Sequence, residues 1–245
     1  MGLEVRGIEY RDILKGIGFE VKKGEVCVVF GPNGAGKTTL LKCTGGLIHP
    51  EKGEVNFDGA SLLSLSPSER AKWIAYLPQF PSVPFSYTVK EVVLMGRAPY
   101  HGIFSCPGRE DERLCERVLE GLGCRHLMER DFLTLSGGER ELVYLARALV
   151  QGASILLLDE PTSHLDFGHA VMVIEKIREE TEKRNLVTVV ALHNPWEVLS
   201  IADKVVVLKE GRKIAEGRPH EVLTASLFKE LYEREVKLPW DSFTN

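Results

Sequence analysis

The sequence predicts an α/β fold: a mostly parallel, helix-covered sheet, preceded by an antiparallel β region and interrupted by an inserted helical subdomain. Three observations lead there. Short β-branched or leucine-rich runs alternate with stretches of helical period, the pattern of parallel strands joined by helical crossovers. A glycine-rich loop, Gly31 to Thr38, lies between one such run and a predicted helix. From about residue 86 to residue 152 the reading is helical throughout.

Taken in order, residues 3–8 and 26–30 read as strands, the second ending at a glycine. A helix is expected from Lys37 to about Ile48, and a strand over 54–57 with Asp58-Gly59 as its turn. Ser66-Pro67-Ser68-Glu69 is a capping box with proline at the first helical position, so a helix starts there. Residues 74–77 form a short strand, followed by a loop with three prolines up to Phe85. Thr88 and Glu91 cap the next helix, and helices follow over 109–121 and after Leu135. Strand and helix then alternate again: strand 155–158, helix 168–183, and strands 186–192, 204–208 and 213–216. The chain reads as one domain, with a core of 1–85 and 153–245 around the helical subdomain 86–152.

Composition narrows the function. The chain has 245 residues, 44% apolar and 27% charged, with a formal net charge of −4. No global basic field draws it to nucleic acid, so no nucleic-acid partner is expected. No window approaches the run of about eighteen apolar residues that suggests a membrane span, and the first ten residues do not read as a secretory signal. The five cysteines include no Cys-x-x-Cys pair, which fits a reducing compartment better than a disulfide scaffold or zinc site.

Gly31-Pro32-Asn33-Gly34-Ala35-Gly36-Lys37-Thr38 matches the phosphate-loop pattern in full, between an apolar strand and a helix. Glycines let successive N–H groups turn inward toward phosphate oxygens, and the helix N-terminus adds the positive end of its dipole. Lys37 brings a cation to the β- and γ-phosphates, Thr38 a hydroxyl to Mg²⁺, and Thr39 the next contact, on the α-phosphate. ATP with Mg²⁺ is the expected ligand. Farther on, the apolar strand 155–158 runs into Asp159-Glu160. Two adjacent carboxylates at the C-terminal end of a parallel strand lie where open α/β sheets bind ligands. Asp159 is suited to hold the metal and Glu160 to orient or deprotonate an attacking water.

Leu135-Ser136-Gly137-Gly138-Glu139 precedes a helix about twenty residues before Asp159, and Ser136 with Glu139 also forms a capping box. The three motifs in this order closely resemble the ATPase domain of ABC proteins, a P-loop NTPase (RecA-like) core, over essentially the whole chain. The resemblance implies that Ser136, Gly137 and Gly138 bind the γ-phosphate held by the opposite subunit of a head-to-tail homodimer. It places Tyr10 where an aromatic stacks on adenine, with a core or edge tyrosine as the alternative reading. Gln79 matches the glutamine that contacts Mg²⁺ and the attacking water and senses a permease. His193 matches the histidine that contacts the γ-phosphate. Ser163-His164-Leu165-Asp166 resembles a loop crossing the dimer interface, and Asp166 is also a good N-cap. The chain departs from the common pattern at Glu139, where glutamine is usual, and at Asn194, where aspartate often follows the histidine.

Residues 91–100, with His101-Gly102, look like the segment found in importers of iron chelates, haem and cobalamin. The resemblance thus implies an ATPase subunit at the cytoplasmic face of the cell membrane. It would work with an integral-membrane permease, through Phe80 to Phe85, and indirectly with an external substrate-binding protein. A soluble ABC ATPase of the iron–sulfur assembly type and an ATP-gated scaffold remain as alternatives.

Overall fold

Strand β3 (Val26–Phe30) explains the architecture, because it is buried on both faces. Its Val26, Val28 and Phe30 join one core and its Cys27 and Val29 another, the alternation a pleated strand imposes. The computed structural model describes residues 1–79, 85–101 and 105–234. Phe80, Gly102 and the segment 236–245 lie outside the described residues.

Two sheets carry the fold. The first is antiparallel, in the order β2 (Leu14–Lys22), β1 (Gly2–Tyr10), β4 (Lys52–Phe57), β5 (Ala60–Ser61). The second runs β10 (Arg212–Gly217), β9 (Lys204–Lys209), β3, β8 (Val187–Leu192), β7 (Ile155–Asp159), β6 (Ile74–Leu77). In the second sheet β6, β7, β8, β3 and β9 are mutually parallel and β10 is the antiparallel edge. The antiparallel sheet and helix α1 (Lys37–Thr44) supply the core around Cys27 and Val29, through residues such as Leu3, Ile17, Val55, Leu40 and Leu41. The helices of the inserted segment and those after β7 cover the other face.

Helix α2 (Pro67–Arg70) precedes β6, and between β6 and β7 come α3 (Val89–Leu94), α4 (Arg109–Gly121) and α5 (Gly137–Val150), with 3-10 turns between them. Ser66, Thr88 and Ser136 each close the expected capping box. Arg97, in the 3-10 turn after α3, donates to Asp111 on α4 and to the carbonyls of Val150 and Gln151 at the end of α5, so one guanidinium joins the three helices. After β7 come α6 (Phe167–Arg184), α7 (Pro195–Ile201), α8 (Pro219–Val222) and α9 (Ala225–Tyr232). The Phe228 ring of α9 sits 6.0 Å from that of Phe30, against the strand that leads into the glycine-rich loop. Among the described residues no helix is long and apolar enough to cross a membrane.

The structure departs from the sequence reading in three places. Helix α1 stops at Thr44 rather than Ile48 because Gly46 takes a left-handed conformation, and Leu47 N–H closes on Lys42 O at 2.9 Å. Strand β2 was not foreseen. Its buried Leu14, Ile17, Phe19 and Val21 change spacing where the β1–β2 register shifts, which breaks a period-two pattern. Helices α8 and α9 were also not foreseen.

Candidate active site

The C-terminal ends of β3, β8 and β7 lie side by side, so the segments that follow them converge at one edge of the parallel sheet. Gly31 follows β3, His193 follows β8 and Glu160 follows β7. Gln79 lies just after the adjacent β6. A cavity of about 550 Å³ opens there, lined by Ile13, Asn33, Gly34, Gly36, Lys37, Thr38, Thr39, Gln79, Glu160 and His193.

The loop is glycine-dependent for a steric reason. At Gly31, φ is 154° and a Cβ would fall 2.2 Å from Leu208 O. Pro32 O accepts from Ala35 N–H at 3.2 Å, which closes the turn around Asn33 and Gly34. Gly36 is the N-cap of α1 and offers no side-chain cap, so the first turn of that helix has no side chain closing it. Lys37 is only 5% exposed. Its amine donates to Gly31 O at 3.0 Å and Pro32 O at 3.2 Å and lies 3.4 Å from Glu160 Oε1.

The two carboxylates are wired differently. Asp159 is buried and receives Thr38 Oγ1–H on Oδ1 at 2.9 Å and Tyr76 O–H on Oδ2 at 3.1 Å. Burial pushes its carboxyl above the usual range, the neighbouring Glu160 charge adds to this, and the two hydroxyl bonds oppose it. The Tyr76 phenol is likewise raised, by burial and then by Asp159. Glu160 has φ of 51°, a left-handed conformation that costs a non-glycine residue and recurs at functional sites. Its Oε2 accepts from Gln79 Nε2 at 2.8 Å and lies 3.4 Å from His193 Nδ1. Lys37, Gln79 and His193 thus surround one carboxylate, which can either accept a proton or orient a water.

Ser136, Gly137 and Gly138 do not line this cavity; they form the N-terminus of α5, with Ser136 and Gly137 exposed and Gly138 buried. Glu139 there accepts from Ser136 N–H at 2.8 Å and sits 3.5 Å from Arg130, and the Ser136 bonds hold its carboxyl below the usual range. The departure from glutamine is therefore an ionised cap with its charge locally matched. Asn194 caps α7 through Trp196 N–H and reaches Glu197, which in turn accepts from Thr162 in the turn after Glu160. Tyr10 does not line the cavity either, and the Arg11 guanidinium lies over its ring at 5.1 Å.

Sequence reasoning missed two residues here. Ile13 lines the cavity as an apolar wall, with nothing in its local pattern to mark it. Tyr76 carried a signal: a phenol in a short apolar strand must find a partner for its hydroxyl once buried.

Residues 14–163 match the ABC transporter family. The hemin import ATP-binding protein HmuV of Nocardia farcinica is 40% identical over 228 residues, covering 93% of this chain and 78% of its own. The iron(3+)-hydroxamate import ATP-binding protein FhuC of Bacillus subtilis is 32% identical over 247 residues, covering 100% and 92%. Among solved structures, a transporter described as metal-chelate type, in an inward-facing conformation, superposes with a TM-score of 0.84 at 31% identity, covering 95% of this chain and 89% of its own.

Proposed function

The chain belongs to the ABC transporter ATP-binding family, whose members hydrolyse ATP, and from that premise we propose that it is the ATPase subunit of an importer for iron chelates, haem or cobalamin-like substrates. The carrying observation is the Glu160 carboxylate, held at once by Gln79, Lys37 and His193 at the sheet edge. HmuV and FhuC, both import ATP-binding proteins by name, support the importer class.

The residues present fit a nucleoside triphosphate and a hard divalent cation. The uncapped start of α1 and the glycine-shaped loop suit phosphate oxygens, and Thr38 with Asp159 forms an all-oxygen pair. Thr38 and Asp159, with Gln79 beside them, would hold Mg²⁺, which would supply charge neutralisation at the phosphates. Lys37 exchanges its bonds to the Gly31 and Pro32 carbonyls for phosphate oxygens. Glu160, released from Lys37, orients or deprotonates the attacking water, and His193 contacts the γ-phosphate.

ATP is sandwiched between the phosphate loop of one subunit and Ser136, Gly137 and Gly138 of the other in a head-to-tail homodimer. Hydrolysis removes the shared ligand, and the dimer opens. The loop after β6, carrying Gln79, joins the core (1–85 and 153–245) to the helical subdomain (86–152) and receives a helix of a membrane permease, with an external binding protein on the far side. The chain then sits at the cytoplasmic face of the membrane.

The test is to purify a tagged Glu160→Gln variant with ATP from gently solubilised membranes and identify its partners by mass spectrometry. A multi-span permease is the expected companion. Recovery of soluble partners alone would replace the importer reading with that of a soluble ABC ATPase.

A further inference from the structure

The turn after Glu160 and the first turn of α6 pack against the start of α5. Ser163 N–H bonds Glu160 O at 3.2 Å and Leu165 N–H bonds Thr162 O at 3.1 Å, so the segment from Glu160 to Leu165 is a tight series of turns. Asp166 then caps α6, accepting His169 N–H on Oδ1 at 3.0 Å, while its Oδ2 lies 2.6 Å from His169 Nδ1. This double engagement fixes the imidazole in direction, and the ring comes down on Gly138. A Cβ added at Gly138 would lie 2.2 Å from His169 Cδ2 and 2.7 Å from Cγ, and one at Gly137 would lie 3.5 Å from Leu165 Cδ2. A side chain at Gly138 would therefore require the His169 ring of its own subunit to shift, whatever Gly138 binds elsewhere. The short polar connection from Glu160 to His169 ends on the segment proposed to grip the opposite subunit's γ-phosphate.

We propose that His169 is a positioning residue that couples the Glu160 turn to the Ser136–Gly138 segment of the same subunit, through the contact of its ring with Gly138. Two packed elements that share a contact with no free space move together or not at all. A change at one nucleotide site is thereby passed, inside one subunit, to the surface that serves the other site. The coupling function rests on the head-to-tail reading; the contact itself does not.

A double-mutant cycle on the full chain tests it. Gly138→Ala is expected to lower the thermal midpoint of the nucleotide-free protein by roughly 5 °C, the usual scale of overpacking in a chain this size. It should also lower kcat on the order of tenfold or more. His169→Ser alone should reduce kcat about fivefold with KM for ATP unchanged, the mark of a misplaced group rather than a lost binding contact. Combining the two should restore the midpoint and return kcat to the His169→Ser level. A midpoint that stays low in the double variant overturns the contact. A restored midpoint with kcat still at the Gly138→Ala level, or an undiminished kcat in His169→Ser, overturns the coupling and leaves only packing. The head-to-tail reading is judged separately: Ser136→Ala in the Glu160→Gln background should lose the ATP-dependent dimer seen by sedimentation. Persistence of that dimer sinks the head-to-tail reading, while the midpoints, measured without nucleotide, still decide the contact.

Discussion

The two helix N-termini to which we assign the phosphate chemistry of this chain are finished in opposite ways. Helix α1 begins at Gly36 with no side-chain cap, beneath a lysine that bonds its own loop carbonyls. Helix α5 begins at Ser136 with a complete capping box, Ser136 and Glu139 each satisfying the other's backbone N–H. The first is a helix start that a ligand completes. The second is complete already and offers a fixed surface. Substitutions at α1 should therefore act on nucleotide affinity, whereas those at α5 should act on helix stability and on association together.

The largest effect that sharpens this contrast is expected at Glu160, which serves the chemistry alone. Glu160→Gln should lower kcat by about 10³-fold while leaving ATP bound, the scale on which a positioned general base acts. Single-turnover hydrolysis beside an ATP-binding titration checks both halves. At the uncapped helix, Lys37→Ala should weaken ATP binding about a hundredfold, since charge-assisted contacts to phosphate are lost. A fluorescent nucleotide titration giving wild-type affinity would break the distinction between the two helix starts.

Tyr76→Phe should raise the Mg²⁺ concentration for half-maximal activity about tenfold, the lower end of the range for groups that orient metal ligands. Nucleotide affinity measured without metal should not move. At α5, Ser136→Ala should cost about 1 kcal/mol through the lost cap, read as a fall of a few degrees in the thermal midpoint.

A pH dependence on the same helix is of similar size. Burial pushes the Glu141 carboxyl from 4.5 up to about 7, so the folded chain holds a proton there that the unfolded chain releases. Its contribution is complete below pH 4.5 and is lost as pH rises to about 7. Glu141→Gln should therefore gain about 1–2 kcal/mol relative to wild type at pH 8 and little at pH 4. Thermal midpoints across that range give the answer.

Much of this was legible in the residues themselves. The strand bounds 26–30 and 74–77 and the helix 109–121 are those found, because apolar runs bounded by glycine or proline leave few alternatives. The gathering of Lys37, Thr38, Gln79, Glu160 and His193 was legible through motif order. The rest depended on distance in sequence. Tyr76 reaches Asp159 only because β6 pairs with β7, and Ile13 enters the cavity only because the β1–β2 turn folds over the loop. Strand β2 hid behind its shifted register, and no local pattern announces a ring on Gly138.

The pairing of β3 has a consequence for synthesis. That strand is complete at Phe30, yet its sheet neighbours β8 and β9 begin only at Val187 and Lys204, and the Phe228 ring that packs on it comes later still. At translation speeds of about 5–20 residues per second, the strand waits on the order of ten seconds or more with both edges unpaired. The glycine-rich loop at its end cannot take its final shape in that interval. A nascent chain stalled before Val187 should therefore fail to retain nucleotide, and should present an apolar strand that chaperones can bind.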